Sequence, residues 1–270
     1  MLPVDHFPND SNGVSSDGDG VRIFASARLV DIADAVARAP FPLLGAACRH
    51  DMAYGDADTT LADCLAPATS CVRVGDGVRC ALNGTAVCAA REPDAEFHSV
   101  IGGGPCWRTT QSAMAVALVA LDADLELRTA EGSRWMSAGA VFAARDAGER
   151  VEHGSSEPLV SARVPPISAG GLQRFGRATQ DDTGSATVVL AAVRRDDGDV
   201  RLVLGGISPG PYRVYTSVEE EAMAGGLDED AIAGLADRAL LDAEPDPRCA
   251  PRVEAAAELL REAIREIATS

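Results

Sequence analysis

The segment from Cys64 to Leu127 constrains this chain more than any other part of it. Five of the chain's seven cysteines, Cys64, Cys71, Cys80, Cys88 and Cys106, fall in its first part. They lead into Ser112 to Leu127, where small apolar residues predict a helix that runs on into a strand. Clustered thiols packed onto one apolar helix point to a cofactor site. Thiolates are soft anionic ligands, and four of them satisfy the irons of a [4Fe–4S] cluster, each of which needs one ligand beyond its sulfides. The spacings are Cys64-x6-Cys71-x8-Cys80-x7-Cys88-x17-Cys106, and they contain no Cys-x-x-Cys pair, which argues against structural zinc. Free cysteine also serves as a small buried hydrophobe, so spacing alone leaves both readings open.

Composition narrows the classes. With 270 residues, 46% hydrophobic and 24% charged, the chain has ordinary globular composition and length for two lobes. No apolar run reaches the roughly 18 residues of a membrane span, and the N-terminus lacks a basic-then-apolar leader. A cytoplasmic location without membrane contact is therefore expected. A net charge of −17 argues against nucleic acid and anionic surfaces. All 24 basic residues are arginine, which excludes lysine Schiff-base chemistry and a P-loop lysine. His6, His50, His98 and His153 are scattered, and no nucleophile–base pair is visible, so no catalytic residue is assigned. Gly102-Gly103-Gly104 reads as a plain turn, and Gly55-Asp56-Ala57-Asp58 is too short for an EF-hand.

Along the chain, residues 1–20 are polar and predict a mobile lead-in. A strand is expected at Val21 to Ala25. Helices follow over Leu29 to Val36, stopped by Pro40 and Pro42, and over Leu43 to His50. Residues 51–60 show no period. Asp124 to Met136 predicts a hairpin, and the charged stretch 145–158 a lobe boundary. Strands at 159–164, 186–194 and 200–204 are expected, the last two joined across Asp197-Gly198. Three helices close the chain. The first ends at Gly225-Gly226, Asp228 caps the second, and the third buries Leu260, Ala263, Ile264 and Ile267. Its outer face offers the pairs Glu258–Arg261 and Glu262–Arg265. The expected class is α+β with two lobes, 21–152 and 153–270, the second an antiparallel sheet with three helices.

The run Glu96 to Cys106, then Ala113 to Leu118 and Leu121-Asp122-Ala123, resembles the FAD-binding medium subunit of molybdenum hydroxylases. These are the xanthine dehydrogenase, carbon monoxide dehydrogenase and 4-hydroxybenzoyl-CoA reductase type enzymes. The resemblance extends from Gly20 to Ala27 and Asp31 to Ala33, through Gly132 to Arg134, to Gly205-Gly206-Ile207-Ser208-Pro209, Pro211-Tyr212-Arg213, Glu220, Met223 and Gly225. It implies a FAD-binding-like domain over 21–152 with a cysteine-rich insertion at 64–106. It also implies a C-terminal domain of the carbon monoxide dehydrogenase flavoprotein type over 153–270. Some members carry a [4Fe–4S] cluster in this insertion. Cys71, Cys80 and Cys106 resemble three of its ligands, with Cys64 as the fourth and Cys88 as a rival for that place.

The flavin side of the pattern departs from the family. The first flavin lobe, with its Ala-Gly-Gly-Thr loop, is expected upstream of Met1. The second flavin turn is Tyr54-Gly55-Asp56-Ala57-Asp58-Thr59-Thr60 here, so the flavin positions Gly55, Asp56 and Thr59 are degenerate. The family's flavin-contacting Asp in Pro-Ser-Asp is Ala113, and a basic residue that some members place after the Phe is Gly176. The resemblance thus implies a flavin-free electron-transfer or scaffold subunit of an oxidoreductase complex. Its partners would be a large molybdopterin subunit, which oxidises the substrate, and a small [2Fe–2S] subunit. The alternatives are a FAD subunit completed by a separate polypeptide and a cofactor-free assembly protein.

Overall fold

Alternating apolar residues pair into two antiparallel sheets. The computed structural model describes residues 13–17, 20–37, 39–56, 58–65, 99–102, 107, 109–110, 112–146, 159–167, 171–179, 186–244, 247 and 249–270. The first sheet has strand order β1-β2-β5-β3-β4, from β1 (Val14–Asp17), β2 (Gly20–Phe24), β3 (Asp124–Thr129), β4 (Gly132–Ser137) and β5 (Leu159–Val164). Its inner face buries Val21, Ile23, Leu125, Leu127, Ala162 and Val164, alternating with Arg22, Glu126 and Arg163 on the outer face. Against it lie α1 (Leu29–Val36), α2 (Pro42–Met52), α3 (Leu61–Leu65), α4 (Ala113–Ala120) and α5 (Ala138–Asp146).

The second sheet is a meander of β6 (Leu172–Thr179), β7 (Ala186–Arg194), β8 (Val200–Gly205) and β9 (Tyr212–Arg213). Val189, Ala191, Val193 and Val203 join the core shared with α2 and α4. Val188, Leu190, Ala192, Leu202 and Leu204 join the opposite core, beneath α6 (Thr216–Ala224), α7 (Glu229–Ala239) and α8 (Ala250–Thr269). A strand covered on both faces has no polar side to show, which is why β7 reads as a near-continuous apolar run.

Several expectations meet a different outcome. The lead-in contains β1, because Val14 seats opposite Ile23 in the core; residues 1–12 lie outside the described set. Leu159–Val164 follows the expected lobe boundary, yet it pairs with both β2 and β3 inside the first sheet. The elements α5, β6 and β9 carry no strong period and were not expected. Glu258–Arg261 forms at 3.1 Å, but Glu262–Arg265 does not. Arg174 of β6 takes Glu262 and Glu266, so Arg265 turns to Glu229 of α7 at 2.7 Å. α6 ends at Gly225 with φ 71° and ψ −172°, an extended positive-φ conformation open to glycine and not the left-handed helical cap that was expected; Gly226 follows at φ 70°. Asp228 caps α7 through the Ala231 amide at 2.8 Å. Among the described residues no helix is long and apolar enough to cross a membrane.

Helix α4 is the hinge of this packing. All eight residues are buried, as a helix apolar on every side must be. It lies between α2 and the β7–β8 face of the second sheet. Contact there is tight. A Cβ placed on Gly205 would sit 2.7 Å from Val116 Cγ2 and 2.8 Å from Val189 Cγ2. Gly205→Ala should therefore cost about 1–3 kcal/mol by overpacking. Val116→Ala added to it should recover part of that loss. A double-mutant cycle in urea checks this; additive costs would show that the helix does not press on the sheet at this point.

Candidate functional site

The N-terminal end of α4 gathers the residues that the sequence singles out. A helix start leaves backbone amides without intrahelical partners, and at a buried start each must find one. Ser112 accepts from the Ala115 amide at 3.0 Å, an ordinary N-cap. The next two amides are held from outside the helix. Asp51, in the last turn of α2, accepts from Ala113 N at 2.8 Å, Met114 N at 3.0 Å and Ser112 Oγ at 3.3 Å. Burial pushes the Asp51 carboxyl above its ordinary range, while its bonds to Met114, Ala113 and Ser112 pull the other way.

Around this carboxylate stand sulfur and aromatic groups. Cys48 Sγ lies 3.4 Å from Met114 Sδ, and burial pushes its thiol up to about 12. Cys64 on α3 is half-buried and hydrogen-bonds Asp51; burial, then the neighbouring Asp51 charge, raises its thiol. His50 is buried with ring centroids 5.1 Å from Tyr54 and 5.6 Å from Phe175, and its Nδ1 has no hydrogen-bond partner among the described residues. Desolvation, then the nearby Arg177 charge, lowers its pKa.

The degenerate flavin positions come to the same end of the fold. Gly55 follows α2 directly, and a Cβ there would stand 2.7 Å from Thr59 Oγ1 and 3.2 Å from the Asp51 carbonyl oxygen. Thr59 closes the turn by donating from N and Oγ1 to the Asp56 carbonyl at 3.0 and 2.7 Å. The Thr59 carbonyl accepts from Leu29 N, and Arg28 bridges to Thr60, so the turn is pinned to the start of α1. Asp56 is exposed and Ala113 fully buried. These residues form a poor cradle for a dinucleotide. The amides at α4 already hold a carboxylate, Ala113 offers no acceptor, and the turn carries the acidic Asp56 and Asp58, the latter 3.5 Å from Arg28.

Of the expected iron ligands, Cys64 is placed at α3, and Cys71, Cys80, Cys88 and Cys106 lie outside the described residues. Among the described residues no group of three His, Cys, Asp or Glu is arranged to hold a metal. The described residues on either side of Cys106 are tied to the second half of the chain. Val100 N and Ile101 N donate to the Ile207 carbonyl at 2.7 and 3.0 Å, and Thr110 N to Ser208 O at 3.0 Å. Sequence reasoning missed Asp51. It sits in a stretch without period and acts on residues more than sixty positions away, so no local pattern marks it.

Comparison with known proteins gives this end of the fold its context. No family model matches the chain. The Escherichia coli K12 protein described as aldehyde oxidoreductase FAD-binding subunit PaoB is 32% identical over 133 residues. That match spans 47% of this chain and 41% of the relative, less than half the length of either. The fold is that of solved structures of carbon monoxide dehydrogenase from Hydrogenophaga pseudoflava (TM-score 0.63, 19% identity, 94% of this chain and 77% of that one). Quinoline 2-oxidoreductase from Pseudomonas putida 86 (TM-score 0.57, 15% identity, 95% and 77%) shares it too. So does carbon monoxide dehydrogenase from Oligotropha carboxidovorans (TM-score 0.59, 19% identity, 97% and 79%). The fold class is α+β, as expected, and the chain is similar to the FAD-binding type of molybdenum hydroxylase subunit.

Asp51 should respond to substitution and to pH. Asp51→Ala leaves two buried amides unpaired and should cost about 1–3 kcal/mol, more than Asp51→Asn, which retains an acceptor. The folded carboxyl binds its proton more tightly than the unfolded one. Its stabilising contribution is therefore complete below the unfolded value, about 3.9, and is lost as pH rises through the raised folded value. Urea unfolding across this range should show the wild type losing stability relative to Asp51→Asn as pH increases. A difference constant with pH would contradict the assignment.

Proposed function

We propose that this chain is a flavin-free subunit of a molybdenum hydroxylase complex that relays electrons or scaffolds the assembly. Supporting it are the likeness to FAD-binding-type subunits and one observation at the site, the Asp51 carboxylate seated on the Ala113 and Met114 amides. Its partners in this reading are a large molybdopterin subunit, where the substrate is oxidised, and a small [2Fe–2S] subunit. In this reading residues 21–152 are a degenerate FAD-binding-like domain, whose sheet β5 completes, and residues 153–270 are the C-terminal domain of the carbon monoxide dehydrogenase flavoprotein type.

A [4Fe–4S] cluster on Cys71, Cys80 and Cys106 with Cys64, Cys88 being the rival fourth ligand, is the cofactor of this reading. When bound, such a cluster carries single electrons. This chain's own contribution is the anchoring of Cys64 on α3 and the backbone bonds that tie Val100 and Ile101 to Ile207 and Thr110 to Ser208.

Two measurements test the proposal. Denaturing the protein purified from its native source and reading released flavin by fluorescence should find none; one equivalent per chain would restore the flavoprotein. Anaerobic purification should give a brown protein with iron and sulfide, lost in Cys80→Ser and kept in Cys249→Ala. Colourless protein after anaerobic reconstitution would remove the cluster and leave the scaffold.

A further inference from the structure

The junction of α2 and β6 holds hydrogen-bonding capacity that the fold leaves unspent. Alternate residues of a strand share one face, and on β6 Gln173, Phe175 and Arg177 share the face that looks at α2. Gln173 Nε2 donates to the Pro40 carbonyl at 2.7 Å, just ahead of α2. Phe175 meets His50 in the last turn of that helix, with ring centroids 5.6 Å apart. Arg177 comes one step further along, and its charge acts on His50. Tyr54, just past the helix, brings a half-exposed ring to 5.1 Å from His50.

Two polar groups at this junction lack partners. His50 is 6% exposed, and its Nδ1 is enclosed without a hydrogen bond among the described residues. Native folds rarely leave such an atom unmatched unless a water, ion or ligand meets it. Arg177 is exposed and makes no hydrogen bond or ion pair with a described residue. In this it differs from Arg22, Arg163, Arg174, Arg201 and Arg213, each of which is taken by a carboxylate. The other charges around His50 are engaged or turned away. Arg49 lies back along α2 beside Gly45, and Asp51 is held by the α4 amides. Helix α4 carries no charged side chain, and on α1 Asp31 is paired to Arg28 while Asp34 is exposed. In the turn after Tyr54, Asp56 is exposed and Asp58 lies 3.5 Å from Arg28.

We propose that a small oxyanion is held between Arg177 and His50 at this junction. The guanidinium supplies paired donors that match an oxyanion, and the imidazole supplies a second point of attachment. Access comes by rotation of the half-exposed Tyr54. The anion offsets the Arg177 charge at His50, so binding favours the protonated ring, which donates from both nitrogens. The same chemistry can arrive as a free ion or as the phosphate of a larger molecule, for which the Tyr54 ring offers a surface to lie on. This inference does not depend on the proposed redox role.

Inorganic sulfate is the first probe, because its charge is constant near neutral pH. Imidazole NMR of the full chain should show a saturable shift of the His50 resonances on titration with sulfate. His50→Phe assigns those resonances by their loss, and should unfold at no lower urea concentration than wild type, since it replaces an unmatched polar ring by an apolar one. Arg177→Gln, at an exposed position, should keep wild-type circular dichroism and bind sulfate about tenfold or more weakly. Wild-type affinity should rise as pH falls from about 8 to about 6, where imidazole takes up its proton. Phenyl phosphate and inorganic phosphate then separate the sources: tighter phenyl phosphate supports an oxyanion carried on a planar body, and equal affinity supports a free ion. No saturable sulfate shift at His50, unchanged affinity in Arg177→Gln, or affinity independent of pH would each overturn the proposal.

Discussion

A half-buried carboxylate on the first two amides of a helix is the contact on which the rest of this structure leans. Helix α4 carries no polar side chain of its own, so it cannot satisfy its own start. Ser112 supplies one acceptor and Asp51 the rest, from a helix that precedes it by sixty residues in the chain. The cost of burying the charge appears as the raised carboxyl pKa, and the return is a fixed relation between α2, α3 and α4. Remove that acceptor, and the fully apolar helix begins with open amides inside the core.

The other end of α4 meets the same physical problem and solves it with arginine. Arg195 donates to the Leu121 carbonyl at 2.8 Å, and Arg201 holds Asp122 in its left-handed turn. A helix secured at both ends by groups from other elements can serve as a rigid strut between two sheets. The tight seating of Val116 against Gly205 follows from that rigidity. It also explains why the second sheet is apolar on both faces: one packs on the strut, the other on α6 to α8.

Much of this was legible in the sequence, and what was not has a common cause. The periods of α1, α2, α7 and α8, the Asp197-Gly198 turn and the glycine end of α6 are local signals, and the structure follows them. The pairing of β5 with the first sheet, the short β9 and the role of Asp51 depend on residues far apart in the chain, and no window of sequence contains both partners. Arg174 illustrates the point: it draws Glu262 away from an i,i+3 partner that local spacing would favour. At the site, Ala113 was visible as a departure from the flavin pattern, but the carboxylate that occupies its amide was not. The cysteines were legible as a ligand set, of which the described residues include only Cys64.

The central claim is that α4 begins on an internal carboxylate, which occupies the two amides an external anion would use. Hydrogen–deuterium exchange at the Ala113 and Met114 amides tests it most directly, measured with and without millimolar FAD. The account predicts slow exchange at both amides in wild type, loss of protection in Asp51→Ala, and no change on adding FAD. Exchange at the rate of an open loop in the wild type, or protection that FAD alters, would contradict it.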